Sequence, residues 1–276
     1  MQKIVAGIVL FNPDETRLEM NIRSIIPQVD LILLVDNASV NIKEIEKTYQ
    51  SILKIRFIKN KQNLGVATAL CQIVKYFEEY DWVLTLDQDS VCPPNLIQTY
   101  QKYINIKNVA IIAPAIVDRN VGKIVEKKQH NIEYVNWCIT SASLTNISIC
   151  KQIGYFDERL FIDLVDYDYC IRLSQYGYKI LKTNEVTLLH QLGNLELHRI
   201  FGRTVYVGNH SSIRKYYNIR NRVYLMHKYK GILNPIYEYE KIIKAFIKVL
   251  IYENDKILKL KAMSRGLFKG MKMKKF

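Results

Sequence analysis

The chain has 276 residues, 49% of them hydrophobic, which is enough for one large domain, alone or with a small appendage, around a real core. Its formal net charge of +14 is uneven: residues 213–276 carry 17 Lys/Arg against 4 Asp/Glu, while 1–212 carry 23 against 22. Five dispersed cysteines without a Cys-x-x-Cys pair argue against a disulfide framework or zinc site and fit a reducing cytosol.

Residues 3–11 form a near-continuous apolar run, as expected of a strand buried on both faces. The run is short and Asn12-Pro13 follows at once, so it reads as a first strand and not a signal peptide. Asn12-Pro13-Asp14 opens a helix to about Ile26, and Leu31–Val35 is a second strand ending in Asp36-Asn37-Ala38-Ser39. A helix over about 42–52 and a third strand near Ile55–Ile58 follow. Asn60 to Ala67 is a loop feeding a helix that ends near Tyr80, and it contains neither a Rossmann nor a P-loop glycine pattern. Its Asn63-Leu64-Gly65 opening is a helix N-terminus of the kind that favours an anion.

The fourth strand, 82–86, ends in Asp87-Gln88-Asp89-Ser90. Residues i and i+2 of an extended segment point the same way, so both carboxylates are expected to reach one point past the strand end. Two hard oxygen ligands there suit Mg²⁺ or Mn²⁺ bound together with substrate phosphates. The bland alternative is a solvated turn. The β-α-β-α-β-α-β order predicts a doubly wound α/β sheet, mainly parallel and Rossmann-like, whose ligands bind beyond the carboxyl ends of the strands. Phe11, Asp36 and the Asp pair all stand at such ends.

The second half is less regular. Val109–Ala113 and Tyr134–Thr140 read as strands, separated by a polar stretch from Asp118 to Asn131. A helix from about Leu164 puts Asp168 within reach of Arg172 at i+4 and turns Asp166 to another side, free to face a cleft. Gly177 stops that helix, and 178–183 and 186–190 return as extended segments ending at His190.

Taken together, the pieces resemble a family-2 inverting glycosyltransferase of the GT-A fold, within it the bacterial rhamnosyltransferases of cell-surface polysaccharides. The matching pieces are Phe11-Asn12-Pro13, Asp36-Asn37-Ala38-Ser39, Asn63-Leu64-Gly65-Val66-Ala67, Asp87-Gln88-Asp89-Ser90, Phe161-Ile162-Asp163-Leu164-Val165-Asp166, Cys170-Ile171-Arg172, His190-Gln191-Leu192-Gly193 and Tyr217-Asn218-Ile219-Arg220-Asn221. Val165 replaces the Glu of the commoner Glu-Asp pair, and Ala142 stands where relatives often carry Gly.

The resemblance implies a GT-A catalytic domain over 1–212, with a donor half to about 115 and an acceptor half from about 116, followed by a helical region over 213–276. It implies that Phe11, Asp36, Asn63, Asp87, Gln88 and Arg220 bind a nucleotide-sugar donor, with dTDP-rhamnose the expected one. Asp87, Asp89 and His190 would hold the divalent cation, Asp166 would be the catalytic base, and Ser141 and Asp163 would belong to the acceptor loop. Duller readings stay open: Asp163 and Asp166 as acids on a solvated helix face, His190 as a core histidine. A UDP-hexose or UDP-galactofuranose donor is an alternative, as is a non-catalytic sugar-nucleotide-binding scaffold.

From Ile232 onward apolar residues recur at helical spacing among lysines, as in basic amphipathic helices that lie on anionic membrane. No window approaches about 18 uncharged apolar residues, so none marks a transmembrane helix. A cytoplasmic enzyme peripheral on the inner face of the bacterial membrane, acting on a lipid-linked glycan, is the expectation. The alternative for these helices is packing against the catalytic body or another subunit, as in a homodimer. No nucleic-acid-binding motif accompanies the basic tail.

Overall fold

A computed structural model describes residues 2–118, 130–190, 196–200 and 203–273. The chain divides into two compact units, Met1–Phe161 with Val165–His190, and Ile162–Leu164 with Gln191–Phe276.

The first unit is built on strands β1 (Ile4–Leu10), β2 (Ile32–Asp36), β3 (Ile55–Lys59), β4 (Trp82–Asp87), β5 (Val109–Asp118), β6 (Ile132–Val135), β7 (Ser143–Asn146) and β8 (Lys179–His190). They form one sheet in the order β3-β2-β1-β4-β7-β5-β8-β6. The β3-β2-β1-β4 half is parallel, since helices α1 (Glu15–Ile25), α2 (Ile42–Tyr49) and α3 (Val66–Tyr76) supply the crossovers that parallel pairing needs. Strand β7 runs antiparallel between β4 and β5, β8 pairs parallel with β5, and β6 closes the edge antiparallel to β8. Helices α4 (Leu96–Gln101), α5 (Ile147–Gln152) and α6 (Val165–Gln175) complete this unit. Every residue of β2 is buried, and so are Ile4, Val5, Ala6, Ile8 and Leu10 of β1. Strands covered on both faces explain the unbroken apolar runs.

The strand expected over 134–140 forms only at its start, and a separate strand, β7, follows at Ser143. Strand β6 stops at Val135, and residues 136–142 carry the chain across the sheet to β7, which runs in the same direction as β6. No Gly or Pro stands in this connection, and Ala142, its last residue, has φ at 58°. The extended segments after Gly177 are one strand, whose pairing slips between Pro114 and Ala115 of β5 to absorb residues 184–186. Within α6 the expected pair forms: Asp168, fully buried, meets Arg172 at 3.0 Å, and Arg172 also donates to the carbonyls of Ile153 and Tyr155. All five cysteines are free, and burial pushes the thiols of Cys71 and Cys92 up to about 12 and that of Cys150 up to about 11. Those three thiols stay protonated near neutral pH and are poor nucleophiles.

The second unit holds an antiparallel ribbon, β9 (Glu196–Ile200) with β10 (Arg203–Val207), and helices α7 (Ser212–Lys228), α8 (Pro235–Tyr252) and α9 (Lys256–Lys272). Its core joins Ile219, Val223 and Met226 to Ile242, Val249 and Met263. Helices α7 and α9 touch through backbone: a Cβ on Gly266 would stand 2.5 Å from the Tyr216 carbonyl oxygen, and one on Gly270 2.6 Å from that of Arg220. Among the described residues no helix is long and apolar enough to cross a membrane. The polar stretch predicted around 119–129, the Gln191-Leu192-Gly193 motif and the last three residues lie outside the described residues.

Two predictions follow from packing in the first unit. At Gly65 φ is 87° and an added Cβ would sit 2.6 Å from both the Phe161 ring and its carbonyl oxygen. Gly65→Ala should cost roughly 2–4 kcal/mol by urea unfolding, whereas Gly177→Ala, with φ 76° and nothing within 4 Å, should cost about 1 kcal/mol. Asp168→Asn leaves a buried guanidinium without its charge partner, and a loss of roughly 3 kcal/mol is expected in the same assay.

Candidate active site

In the parallel half, register sets the site. Leu10 pairs with Asp36 and Val9 with Asp87, so β1, β2 and β4 end along one edge. Strand β4 stops at Asp87, and Asp89 stands in the turn that follows, closed by Ser90 N–H donating to the Asp87 carbonyl at 3.2 Å. Asp89 is therefore displayed by a four-residue turn and not by strand alternation, which corrects the expected extended geometry. Both aspartates are partly exposed. Among the described residues, no three His, Cys, Asp or Glu side chains cluster closely enough to hold a metal ion by themselves.

The backbone of Asp87 is held on both sides. Asn21 Nδ2 donates to its carbonyl at 2.7 Å, and its N–H donates to Ser141 Oγ at 3.2 Å. The Ser141 hydroxyl also lies 2.6 Å from that of Ser90. Thr85 Oγ1 donates to the Thr140 carbonyl at 2.6 Å, and Ala142 N–H donates to the Thr85 carbonyl at 2.8 Å. The 140–142 loop is thus fixed beside the end of β4. Ser141, expected to serve the acceptor loop, is buried in this scaffold.

Gln88 spends its side-chain amide on the main chain of Phe11. Its Oε1 accepts from Phe11 N–H at 2.8 Å, and its Nε2 donates to the Phe11 carbonyl at 3.3 Å. The Phe11 ring stays 47% exposed at the edge where β1 ends. Asn12, with φ 47°, donates its N–H to Ser39 Oγ and accepts from Val40 N–H through Oδ1. Asp36 is buried, and both its carboxylate oxygens accept from the Ser39 N–H at 3.1–3.2 Å. Asn37 reaches Gly65 and Asn60, and Asn60 bonds Gln72, an amide chain that ties the end of β2 to α3. Asn63 closes a local turn by accepting from Gly65 N–H at 2.9 Å.

The anion site expected at the start of α3 does not form there. The N–H groups of Val66 and Ala67 donate to the Phe161 carbonyl, which caps the helix. Phe161 reaches this position with φ 62° and ψ −68°, in the left-handed region that non-glycine residues rarely visit.

Asp166 lies in the first turn of α6, partly exposed, and its Oδ1 accepts from Tyr167 N–H at 2.8 Å. It lines a small cavity together with Cys138, Thr140, Ser143, Tyr169 and Cys170. His190 ends β8, whose preceding residue Leu189 bridges Val91, so that strand end approaches the turn carrying Asp89. The His190 side chain lies outside the described residues.

Two expected site residues belong to the second unit. Asp163 is ion-paired with Arg214 at 3.0 Å. Arg220 bonds Asn221 Oδ1 through Nε and Nη2 and lies over the Tyr217 ring, 4.5 Å from its centroid. Asn221, fully buried, donates to the carbonyls of Ile162 and Asp163 at 2.8 Å. Gln88, Asn21 and Asn221 as scaffold residues were not anticipated from sequence, because their partners lie 58–77 positions away.

Residues 6–168 match the sequence profile of Glycosyl transferase family 2. The dTDP-rhamnosyl transferase RfbF of Shigella flexneri is 28% identical over 242 residues, which cover 82% of this chain and 80% of that protein. Among solved structures, GalNAc-T7 with UDP, GalNAc and Mn²⁺ is similar over 99% of this chain with TM-score 0.68 and 14% identity, and this chain spans 56% of that one. TarS 1–349 of S. aureus in complex with UDP is similar at TM-score 0.59 and 12% identity, over 99% of this chain and 72% of that one. The mannosyltransferase PcManGT of Pyrobaculum calidifontis in complex with GDP-Man and Mn²⁺ gives 0.58 and 14%, over 99% and 76%. At these identities the structures show a shared GT-A fold, and the profile match over more than half of the sequence settles the family. The chain belongs to glycosyl transferase family 2.

Proposed function

We propose that this glycosyltransferase moves L-rhamnose from dTDP-β-L-rhamnose to a hydroxyl of a lipid-linked oligosaccharide in the synthesis of a bacterial cell-surface polysaccharide. The observation that carries the donor is the likeness to the dTDP-rhamnosyl transferase of Shigella flexneri, which extends over 80% of that protein. The basic helical region favours a place on the inner face of the cytoplasmic membrane, where a lipid-linked acceptor is presented.

The donor set fits a hard divalent cation. Asp87 and Asp89 offer carboxylate oxygens only and would hold Mg²⁺ or Mn²⁺ together with the donor diphosphate, with His190 the third proposed ligand. When bound, the cation supplies charge stabilisation for the departing nucleoside diphosphate. Gln88 holds the Phe11 main chain so that the exposed ring can cover the nucleobase, with Asp36 and Asn63 shaping the loops beside it. Arg220 is the cation assigned to the donor phosphates.

Asp166 accepts the proton of the acceptor hydroxyl as that oxygen bonds to the anomeric carbon and the bond to dTDP breaks. The backbone N–H of Tyr167 donates to Oδ1 of this carboxylate at 2.8 Å and fixes its orientation. One displacement inverts the centre, so a β-linked donor gives an α-linked product. Ser141 and Asp163 are placed on the acceptor side through the loops they anchor.

A thermal-shift panel of dTDP, UDP and GDP, each with and without Mn²⁺, tests the donor. Stabilisation by dTDP that depends on Mn²⁺ is expected, about 2.7 kcal/mol at 100 times the dissociation constant. Preference for UDP would replace rhamnose with another sugar, and no response to any nucleotide would leave a scaffold. In turnover with dTDP-rhamnose, Asp166→Asn should lower kcat by about 10²–10⁴ while keeping the dTDP shift. Asp89→Ala should remove the Mn²⁺ dependence of that shift.

A further inference from the structure

The tail's apolar residues do not all face inward. In α8, Ile242 and Val249 are buried in the core of the second unit, while Ile236, Tyr239, Ile243, Ile247 and Leu250 are 45–78% exposed. At 100° per residue these five fall on one stripe, and α8 is about 27 Å long at 1.5 Å per residue. A row of isoleucines facing water needs a cover.

The charge balance of the same unit says which cover fits. Of the four acids in 213–276, two are buried and neutralised. Glu238 meets Arg222 and Lys241, and Glu253 meets Lys215 and Lys259. That leaves Glu240 and Asp255 as the exposed acids, against exposed cations that include Lys244, Lys256, Lys261, Arg265, Lys269 and Lys272. Pairing with a second copy would bring two strongly cationic surfaces together, whereas an anionic bilayer complements them.

We infer that the outward stripe of α8 is the surface that enters an anionic lipid bilayer, lying flat with its isoleucines below the headgroups and the lysines at their level. This rests on the membrane association proposed above and names the helix face that carries it. The carboxylates and loops of the catalytic unit take no part in it.

The test is sedimentation of the full chain with vesicles of phosphatidylcholine alone or with 30% phosphatidylglycerol. The variants are Ile243→Gln/Ile247→Gln, which keeps good helix formers, and Lys269→Glu/Lys272→Glu. The expected result is binding to anionic vesicles that falls about 100-fold in the isoleucine variant, roughly tenfold per side chain, with the dTDP thermal shift unchanged. Wild-type binding that is lost in the lysine variant but kept in the isoleucine variant would overturn the stripe and leave the electrostatic association standing. Absence of wild-type binding to either vesicle would overturn both. A wild-type dimer in ultracentrifugation that the isoleucine variant splits, with vesicle binding unaltered, would assign the stripe to a second copy and overturn the proposal.

Discussion

The first unit depends on how the chain is stopped at the end of β4. Under the donor role proposed for it, the carboxylate pair would gather a cation and a diphosphate only if its backbone did not move when charge arrived, and the backbone of Asp87 is held on both sides. Its carbonyl accepts from Asn21 and Ser90, its N–H donates to Ser141, and its strand is registered against β1. Buried backbone groups satisfied in this way resist displacement, because freeing one without a new partner costs about 1–3 kcal/mol. The same few residues also fix their surroundings. Gln88 grips the Phe11 main chain, and Ser141 brings the 140–142 loop against the strand end. Preorganisation here is a property of the hydrogen-bond network more than of the carboxylates.

Backbone strain collects around that network. Asn12, Ala38, Ala142 and Phe161 all have positive φ without being glycine. Each such residue costs on the order of 1–3 kcal/mol, tolerated only where surrounding contacts over-determine the conformation. The contacts are identifiable. Asn12 is bonded to Ser39 and Val40, the Ala142 carbonyl accepts from the buried Tyr100 hydroxyl, and the Phe161 carbonyl caps α3. Ala142 occupies a conformation that glycine adopts without penalty, which gives a physical reason for the glycine that the family resemblance led one to expect there.

Much of the first unit was legible because its signals are local. Buried parallel strands write themselves as apolar runs, crossover helices as capped periodic segments, and Asp168 with Arg172 as an i, i+4 pair. Strand ends in such a sheet mark the ligand edge, so Phe11, Asp36 and Asp87 could be gathered from sequence. What escaped were interactions between distant residues. Nothing near Val66 shows that its N–H is taken by Phe161, and without that fact an open helix terminus looks like an anion site. The break after Val135 escaped for a related reason: Ala142 takes a positive φ that its own residue type does not advertise.

The second unit shows where periodicity alone stops short. An amphipathic pattern fixes which residues share a helix face but not whether that face meets a core or a solvent boundary. In α8 two apolar faces coexist. Ile242 and Val249 meet the core of this unit, and Ile236, Ile243, Ile247 and Leu250 do not. The buried acids separate the two. Glu238 and Glu253 take their counter-charges from α7, α8 and α9 themselves, so packing consumes the negative charge and leaves the positive charge outside. A helix that needed only to be packed would have no use for a second apolar face beside the one that meets the core. A helix that must hold an enzyme against anionic lipid needs apolar depth and peripheral cations together, and α8 carries both.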